Sequence, residues 1–221
     1  MTDVAANLAD IQARLDKRAK KWGQDASKVT LIAVSKKQPV ERVEAALEAG
    51  HKVFGENRVQ EALGKWPEFQ EKYEGIELHL IGPLQSNKAK EAVALFDVIQ
   101  TVDRPKIART LFEEMKKAGR NIPVFIQINI GAEEQKAGIA IDDADAFITE
   151  CREVHGLQVE GLMCIPPAGE QPAPFFALLD KIAKRNGVEK LSMGMSSDFE
   201  IAVQFGASLV RVGTGIFGSR D

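Results

Sequence analysis

The sequence predicts an α/β protein: a single closed (β/α)8 barrel of TIM type, preceded by one extra N-terminal helix. Three observations lead there. Eight short apolar runs recur along the 221 residues. The intervals between successive runs are long enough for a helix, which is the length that parallel strands need to cross over. No run is polar in the manner of an exposed sheet edge, so a closed sheet accounts for the pattern better than an open doubly wound one. No linker, charge block or low-complexity tract divides the chain, and residues 1–221 are read as one barrel unit.

In chain order, Val4, Leu8, Ile11, Leu15 and Trp22 recur at helical spacing and predict the extra helix over 4–22. The first strand is "VTLIAVS" (29–35), which runs on to Lys36 before Pro39 breaks it. The helical pattern "PVERVEAALEAG" (39–50) leads to the second run, "KVFG" (52–55). "ELHLIG" (77–82) and "FDVIQTV" (96–102) are the third and fourth. The helix "RPKIARTLFEEMKKAG" (104–119) precedes the fifth, "IPVFIQINI" (122–130). After the sixth, "LQVEGLMCI" (157–165), comes the helix "PAPFFALLDKIAKRNG" (172–187). "EKLSMG" (189–194) and "SLVRVG" (208–213) complete the set. Several of the helical segments end in glycine, a common residue just past a helix C-terminus.

Composition excludes several classes of function. With 44% hydrophobic and 28% charged residues the chain has the profile of a globular protein, neither disordered nor fibrous. A formal net charge of −3 supplies no broad attraction for nucleic acid or an anionic membrane, so neither is an expected partner. No apolar run approaches the roughly 20 residues of a spanning helix, and the N-terminus lacks a signal-type apolar segment. Cys151 and Cys164 do not make a disulfide framework. A cytoplasmic monomer is expected.

Two motifs mislead. "GTGIFG" (213–218) matches G-x-G-x-x-G literally. A dinucleotide fingerprint, however, needs a helix, a further strand and an acidic residue about 20 positions on, and the sequence ends at Asp221. Cys151, His155 and Cys164 lack the paired spacing of a zinc site and read as structural. "FFALL" (175–179) reads as core stripe, and "EEMKK" and "KIAKR" as solvated helix faces.

In a barrel of this kind functional groups gather at the C-terminal ends of the strands. That rule selects Lys36 after the first run, Gly55, Glu56 and Asn57 after the second, and His79 late in the third. It adds "MGMSS" after the seventh run, and Arg211, Gly213 and Thr214 at the eighth. Lys36 shares strand parity with Ile32 and Val34. Two readings of it stand: a stem that snorkels its charge into water, or an amine held among apolar groups, where desolvation favours the neutral nucleophile. Arg211 shares parity with Leu209 and Gly213, and a guanidinium inside a final strand calls for an acceptor or a polar ligand ring. The eighth and first strands adjoin when a barrel closes, which puts Arg211 and Lys36 across one site. Gly213, Thr214 and Gly215, with Gly194, Ser196 and Ser197, offer backbone N–H groups and hydroxyls where such barrels commonly hold phosphate. An amine, a guanidinium and a phosphate cradle on adjoining strand ends describe a site for pyridoxal phosphate.

The chain resembles the pyridoxal phosphate homeostasis protein family, single-domain relatives of the alanine racemase N-terminal barrel, over essentially its whole length. The segments that carry the resemblance are "AVSKKQP" (33–39), "FGENRVQE" (54–61), "HLIGPLQSNK" (79–88), "QTVDR" (100–104) and "GLMCIPP" (161–167). The strongest is "LSMGMSSDFEIAVQFGASLVRVGTGIFGSR" (191–220). The resemblance implies a fold type III pyridoxal phosphate protein in which Lys36 carries the cofactor as a Schiff base. It further implies that Ser196, Gly213 and Thr214 receive the phosphate, that Arg211 meets the pyridine nitrogen, and that Asn57 and His79 are wall residues near the ring. Where the family usually reads "GTAIFG" this chain has Gly215, a change that leaves the backbone N–H in place.

It also implies a protein that binds and buffers the cofactor, with apo-enzymes as its recipients, and not an enzyme. The alternative is a small racemase acting on an amino acid. Alanine racemase adds a second domain and a catalytic tyrosine; the sole tyrosine here, Tyr73, falls in the polar stretch "EFQEKYEG", and two-base racemization then lacks a partner. A third reading, an interaction protein whose partner responds to cofactor loading, is compatible with the first. Lys136, in "EEQKAG", reads as an exposed loop lysine, with a second docking amine as the alternative.

Overall fold

A computed structural model describes residues 3–219; Met1, Thr2, Arg220 and Asp221, which belong to the expected 1–221 unit, lie outside the described residues. After helix α1 (Val4–Lys21), the strands are β1 (Thr30–Val34), β2 (Val53–Glu56), β3 (Glu77–Leu80), β4 (Val98–Val102), β5 (Val124–Ile128), β6 (Val159–Cys164), β7 (Lys190–Ser192) and β8 (Leu209–Val212). They pair in parallel in sequence order, and β8 returns to β1 to close the barrel. The predicted fold is the observed one.

Each crossover carries at least one helix, as parallel pairing demands. They are α2 (Val40–Glu48), α3 (Val59–Leu63), α4 (Trp66–Lys72), α5 (Ala89–Leu95), α6 (Pro105–Ala118), α7 (Ala144–Thr149), α8 (Ala173–Arg185) and α9 (Phe199–Gln204). The short α10 (Thr214–Phe217) follows β8. Among the described residues no helix is long and apolar enough to cross a membrane.

The extra helix forms as expected and earns its place by packing. Asp3 caps it by accepting the N–H of Ala6 at 2.9 Å. Val4, Leu8, Ile11, Leu15 and Ala19 bury one stripe against α9 and α10. Trp22 departs from the expectation and is 46% exposed. It is the C-cap, and the chain turns away at Gly23 with φ +68°, so Ala19 completes the stripe.

Strand parity sorts the core into two parts. Leu31, Ala33, Val210 and Val212 face the helices and join the large outer core. Ile32, Val98, Phe125, Met163 and Leu209 fill the barrel interior as a separate cluster. Side chains of alternate residues point to opposite faces, so Lys36 and Arg211 continue the interior rows begun by Ile32 and Leu209. β7 stops at Ser192, short of the predicted 189–194, because Gly194 turns the chain with φ +93°. The loop thus freed brings Met195, Ser196 and Ser197 over the barrel mouth.

Candidate cofactor site at the C-terminal mouth

The register of β1 with β8 sets Ile32 beside Arg211 and Ala33 beside Val212. One step further, past the strand ends, a cavity of about 340 Å³ opens at the mouth. Lys36, Asn57, Ser196, Arg211, Gly213 and Thr214 all line it, with Val34, Ile81, Ile165 and Met195 as apolar wall. Six of the seven expected site residues are therefore gathered in one place. Lys36 sits in a turn two residues beyond β1 and is half-buried.

Arg211 is the most enclosed charge of the cavity, at 4% exposure. Its Nη1 donates to Ser192 Oγ at 2.6 Å and its Nη2 to the carbonyl of Cys164 at 2.8 Å. Neither partner is a carboxylate. Burial pulls this guanidinium below the usual arginine value, yet a guanidinium keeps its proton in a protein at neutral pH. The site thus offers a fixed cationic donor whose two hydrogen-bond partners are neutral, with Asp198 acting on it only through space. At the opposite rim Thr214 Oγ1 donates to Ser196 Oγ at 3.2 Å, and the N–H of Gly215 points to the same hydroxyl at 3.4 Å. α1 supports this rim, since Asn7 Nδ2 donates to the carbonyl of Ile216 at 2.8 Å.

His79 is the exception, and its expected place on the wall is corrected. It pairs in register with Gly55 and Val98, well inside the barrel, and lines a separate cavity at the N-terminal mouth. Ile81, two residues on, takes the wall position. His79 is instead the far part of a buried chain that starts at Arg211. Ser192 Oγ, which accepts from Arg211, donates to Gln100 Oε1 at 2.5 Å. Gln100 Nε2 donates to His79 Nδ1 at 2.8 Å. His79 Nε2 therefore carries the proton and donates to Glu77 Oε1 at 2.6 Å, which holds that carboxyl below its usual range. Sequence reasoning missed Ser192 and Gln100; their signal was two polar residues of interior parity within otherwise apolar runs.

Ser192→Ala is accordingly expected to cost about 1–3 kcal/mol, because it strips Arg211 and Gln100 of a buried partner at once. The urea midpoint checks this. A value within error of the unaltered protein would show that the chain does not hold Arg211.

The remaining candidates lie elsewhere. Lys136 pairs with Glu133 and donates to the carbonyl of Pro166 at 3.4 Å, outside the residues that line the cavity. Tyr73 caps α4 and donates to Glu44 Oε1 at 3.2 Å on the barrel exterior. Burial pushes the thiols of Cys151 and Cys164 up to about 12, so neither is a nucleophile at neutral pH. A second cavity, of about 770 Å³, shares Asn57 with the first and is rimmed by Arg58, Lys88 and Arg104. The motifs "FGENRVQE", "HLIGPLQSNK" and "QTVDR" converge on it.

Known proteins share this sequence pattern and this fold. Residues 6–221 match the model of the alanine racemase N-terminal domain. The chain is 40% identical over 226 residues to the pyridoxal phosphate homeostasis protein of Pseudomonas aeruginosa, covering all of this chain and 97% of that one. It is 37% identical over 230 residues to the protein of the same description from Escherichia coli K12, covering all of this chain and 98% of the other. Among solved structures it superposes on PipY of Synechococcus elongatus PCC7942 with PLP bound. The TM-score is 0.83 at 34% identity, over 97% of this chain and 100% of PipY.

Proposed function

The chain belongs to the pyridoxal phosphate homeostasis protein family, and on that premise we propose that it holds pyridoxal 5′-phosphate at the C-terminal mouth of its barrel as part of intracellular vitamin B6 homeostasis, without catalytic turnover. The observation that carries this reading is the meeting of an amine, a guanidinium bonded only to neutral groups and paired hydroxyls in one cavity. The donor set fits the cofactor: the amine suits its aldehyde, the guanidinium its ring nitrogen, and the hydroxyls its phosphate.

When bound, the cofactor supplies an aldehyde for reversible attachment and a ring that withdraws electrons in proportion to the protonation of its nitrogen. Lys36 would hold the cofactor by offering its side-chain amine to the aldehyde. Ser196 and Thr214, with the backbone at Gly213, would hold the phosphate. Asn57 and the apolar wall orient the ring and limit water. Arg211 would face the ring nitrogen and, as a fixed cation bonded only to neutral groups, would disfavour protonating it. That arrangement suits storage better than electron withdrawal. No tyrosine stands at the cavity to act as an opposing acid–base group. Apo-enzymes that need the cofactor are the recipients, and the barrel works as a cytoplasmic monomer.

The test is the near-visible absorption spectrum of the purified protein before and after borohydride, peptide mapping of the reduced product, and an amino-acid panel assayed for racemization. The expected result is an imine band, a pyridoxyl adduct on Lys36 and no interconversion of enantiomers. Absence of the band with excess cofactor removes the binding reading. Interconversion of any enantiomer pair removes the non-catalytic one and favours the racemase.

A further inference from the structure

Two adjacent lysines follow β1, and their parities are opposite. Lys36 lines the cavity, whereas Lys37 is exposed. A one-residue slip in the turn would exchange them, since each step along an extended chain reverses the side-chain direction. Something must hold the backbone on both sides of Lys36.

The holding groups lie on the outer face of the barrel. Ser35 has the parity of Leu31 and Ala33 and points away from the cavity. Its hydroxyl donates to Glu56 Oε1 at 2.7 Å, and its N–H donates to the carbonyl of Gly55 at 3.0 Å. Lys65 Nζ donates to the Ser35 carbonyl at 2.9 Å and to Glu56 Oε1 at 2.8 Å. On the other side of Lys36, the N–H of Lys37 donates to Glu61 Oε1, and Lys65 stands 3.5 Å from the same carboxylate. Trp66, fully buried between Phe54 and Phe69, adds its Nε1 donor to Glu56 at 3.0 Å and fixes where α4 begins.

This assembly is costly on its own terms. The Glu56 side chain is wholly buried and that of Lys65 is 8% exposed, and Glu56 Oε2 has no hydrogen-bond partner among the described residues. A buried ion pair is often no more stable than apolar residues of equal volume, so its use lies in what it specifies. Lys37 also holds φ +54°, a left-handed conformation unfavourable to a long side chain. Such a conformation persists only where neighbours over-determine it.

We propose that Glu56, Lys65 and Glu61 form a backbone clamp that selects Lys36 over Lys37 as the amine presented to the cofactor. The clamp residues are not among those that line the cavity and act through the backbone; they are positioning residues. The inference rests on the reading of Lys36 given above, and the experiment separates the two.

Three variants are compared with the unaltered protein: Glu61→Ala, the charge-free double variant Glu56→Gln/Lys65→Met, and Lys65→Arg as the conservative control. Each is loaded with pyridoxal phosphate, reduced with borohydride and mapped by peptide mass. Amide exchange at Lys37 is followed without cofactor. The unaltered protein is expected to carry the adduct on Lys36 and to protect the Lys37 N–H. In Glu61→Ala and the double variant the Lys36 adduct should fall roughly tenfold, with adduct appearing on Lys37, as small misplacement of a reacting group costs this much or more. The protection of Lys37 should fall with it, whereas Lys65→Arg should retain both in large part. An adduct confined to Lys36 at the unaltered yield in Glu61→Ala, which disturbs only a half-exposed residue, overturns the clamp. If the unaltered protein takes no adduct, the cofactor reading fails; undiminished Lys37 protection in the variants would then overturn the clamp separately.

Discussion

Lys36→Ala is expected to abolish covalent retention of pyridoxal phosphate while leaving the fold intact. The residue lies beyond the end of β1, and the main chain around it is held by bonds to Ser35 and Lys37, neither of which is altered. Its substitution should therefore move the melting temperature little, as changes outside a packed core or buried network usually do. What would remain of the proposed site is non-covalent: Arg211 for the ring and the Ser196–Thr214 rim for the phosphate. Retention through dialysis should fall by roughly a hundredfold or more, ~2.7 kcal/mol or more. The check is the near-visible band together with the protein mass after borohydride reduction. A persisting band with an unchanged mass increment would assign the attachment to another amine, and the reduced peptide would identify it.

The second large effect is on stability, at Gly82→Ala. A methyl group built there would stand 2.2 Å from the carbonyl oxygen of Asn57, 2.7 Å from its Cα and 2.8 Å from its carbonyl carbon. All three are backbone atoms, so no side chain can rotate out of the way. Both segments are also pinned. Gly82 accepts from Thr101 Oγ1 at 2.8 Å, and Asn57 follows Glu56, which is locked by Ser35, Lys65 and Trp66. Overpacking with little room to relax should cost at least the usual amount, about 1–3 kcal/mol. Because Asn57 lines the mouth cavity, the displacement should weaken cofactor binding too. Gly64→Ala is the control: φ is −82° and the nearest atom to an added methyl is 3.7 Å away, so neutrality is expected there. Equal midpoints for the two variants in urea would show that the β2 and β3 loops yield more easily than their bonds suggest.

Much of the fold was legible in one dimension because a barrel imposes a simple rule on its strands. Both faces of every strand are buried, so apolar runs are continuous, and helix-length intervals separate them. "SLVRVG" and "VTLIAVS" then stand out by the one charge that each carries or runs into. Parity put Arg211 with Leu209 and Lys36 with Ile32 and Val34, and in the structure these rows do line the interior and the mouth. Trp22 shows the limit of periodicity. It matched the helical spacing, but the cap geometry at Gly23 decided where the stripe ends.

By itself, then, the sequence determined the order of strands, which side chains of a strand share a face and most of the group of residues at the C-terminal mouth. Depth along the barrel axis was decided only by the tertiary structure, because depth depends on the register between strands. His79 and Ile81 have the same parity, yet pairing with Gly55 and Val98 sinks His79 into the interior and leaves Ile81 at the cavity. The same holds for Glu56, Lys65 and Glu61. Nothing in "GENRVQEALGK" announces that two carboxylates and an ammonium will close around Ser35 and Lys37, some twenty to thirty residues earlier. Periodicity reports which way a side chain points; only the closed barrel and the helices packed on it determine what it meets there.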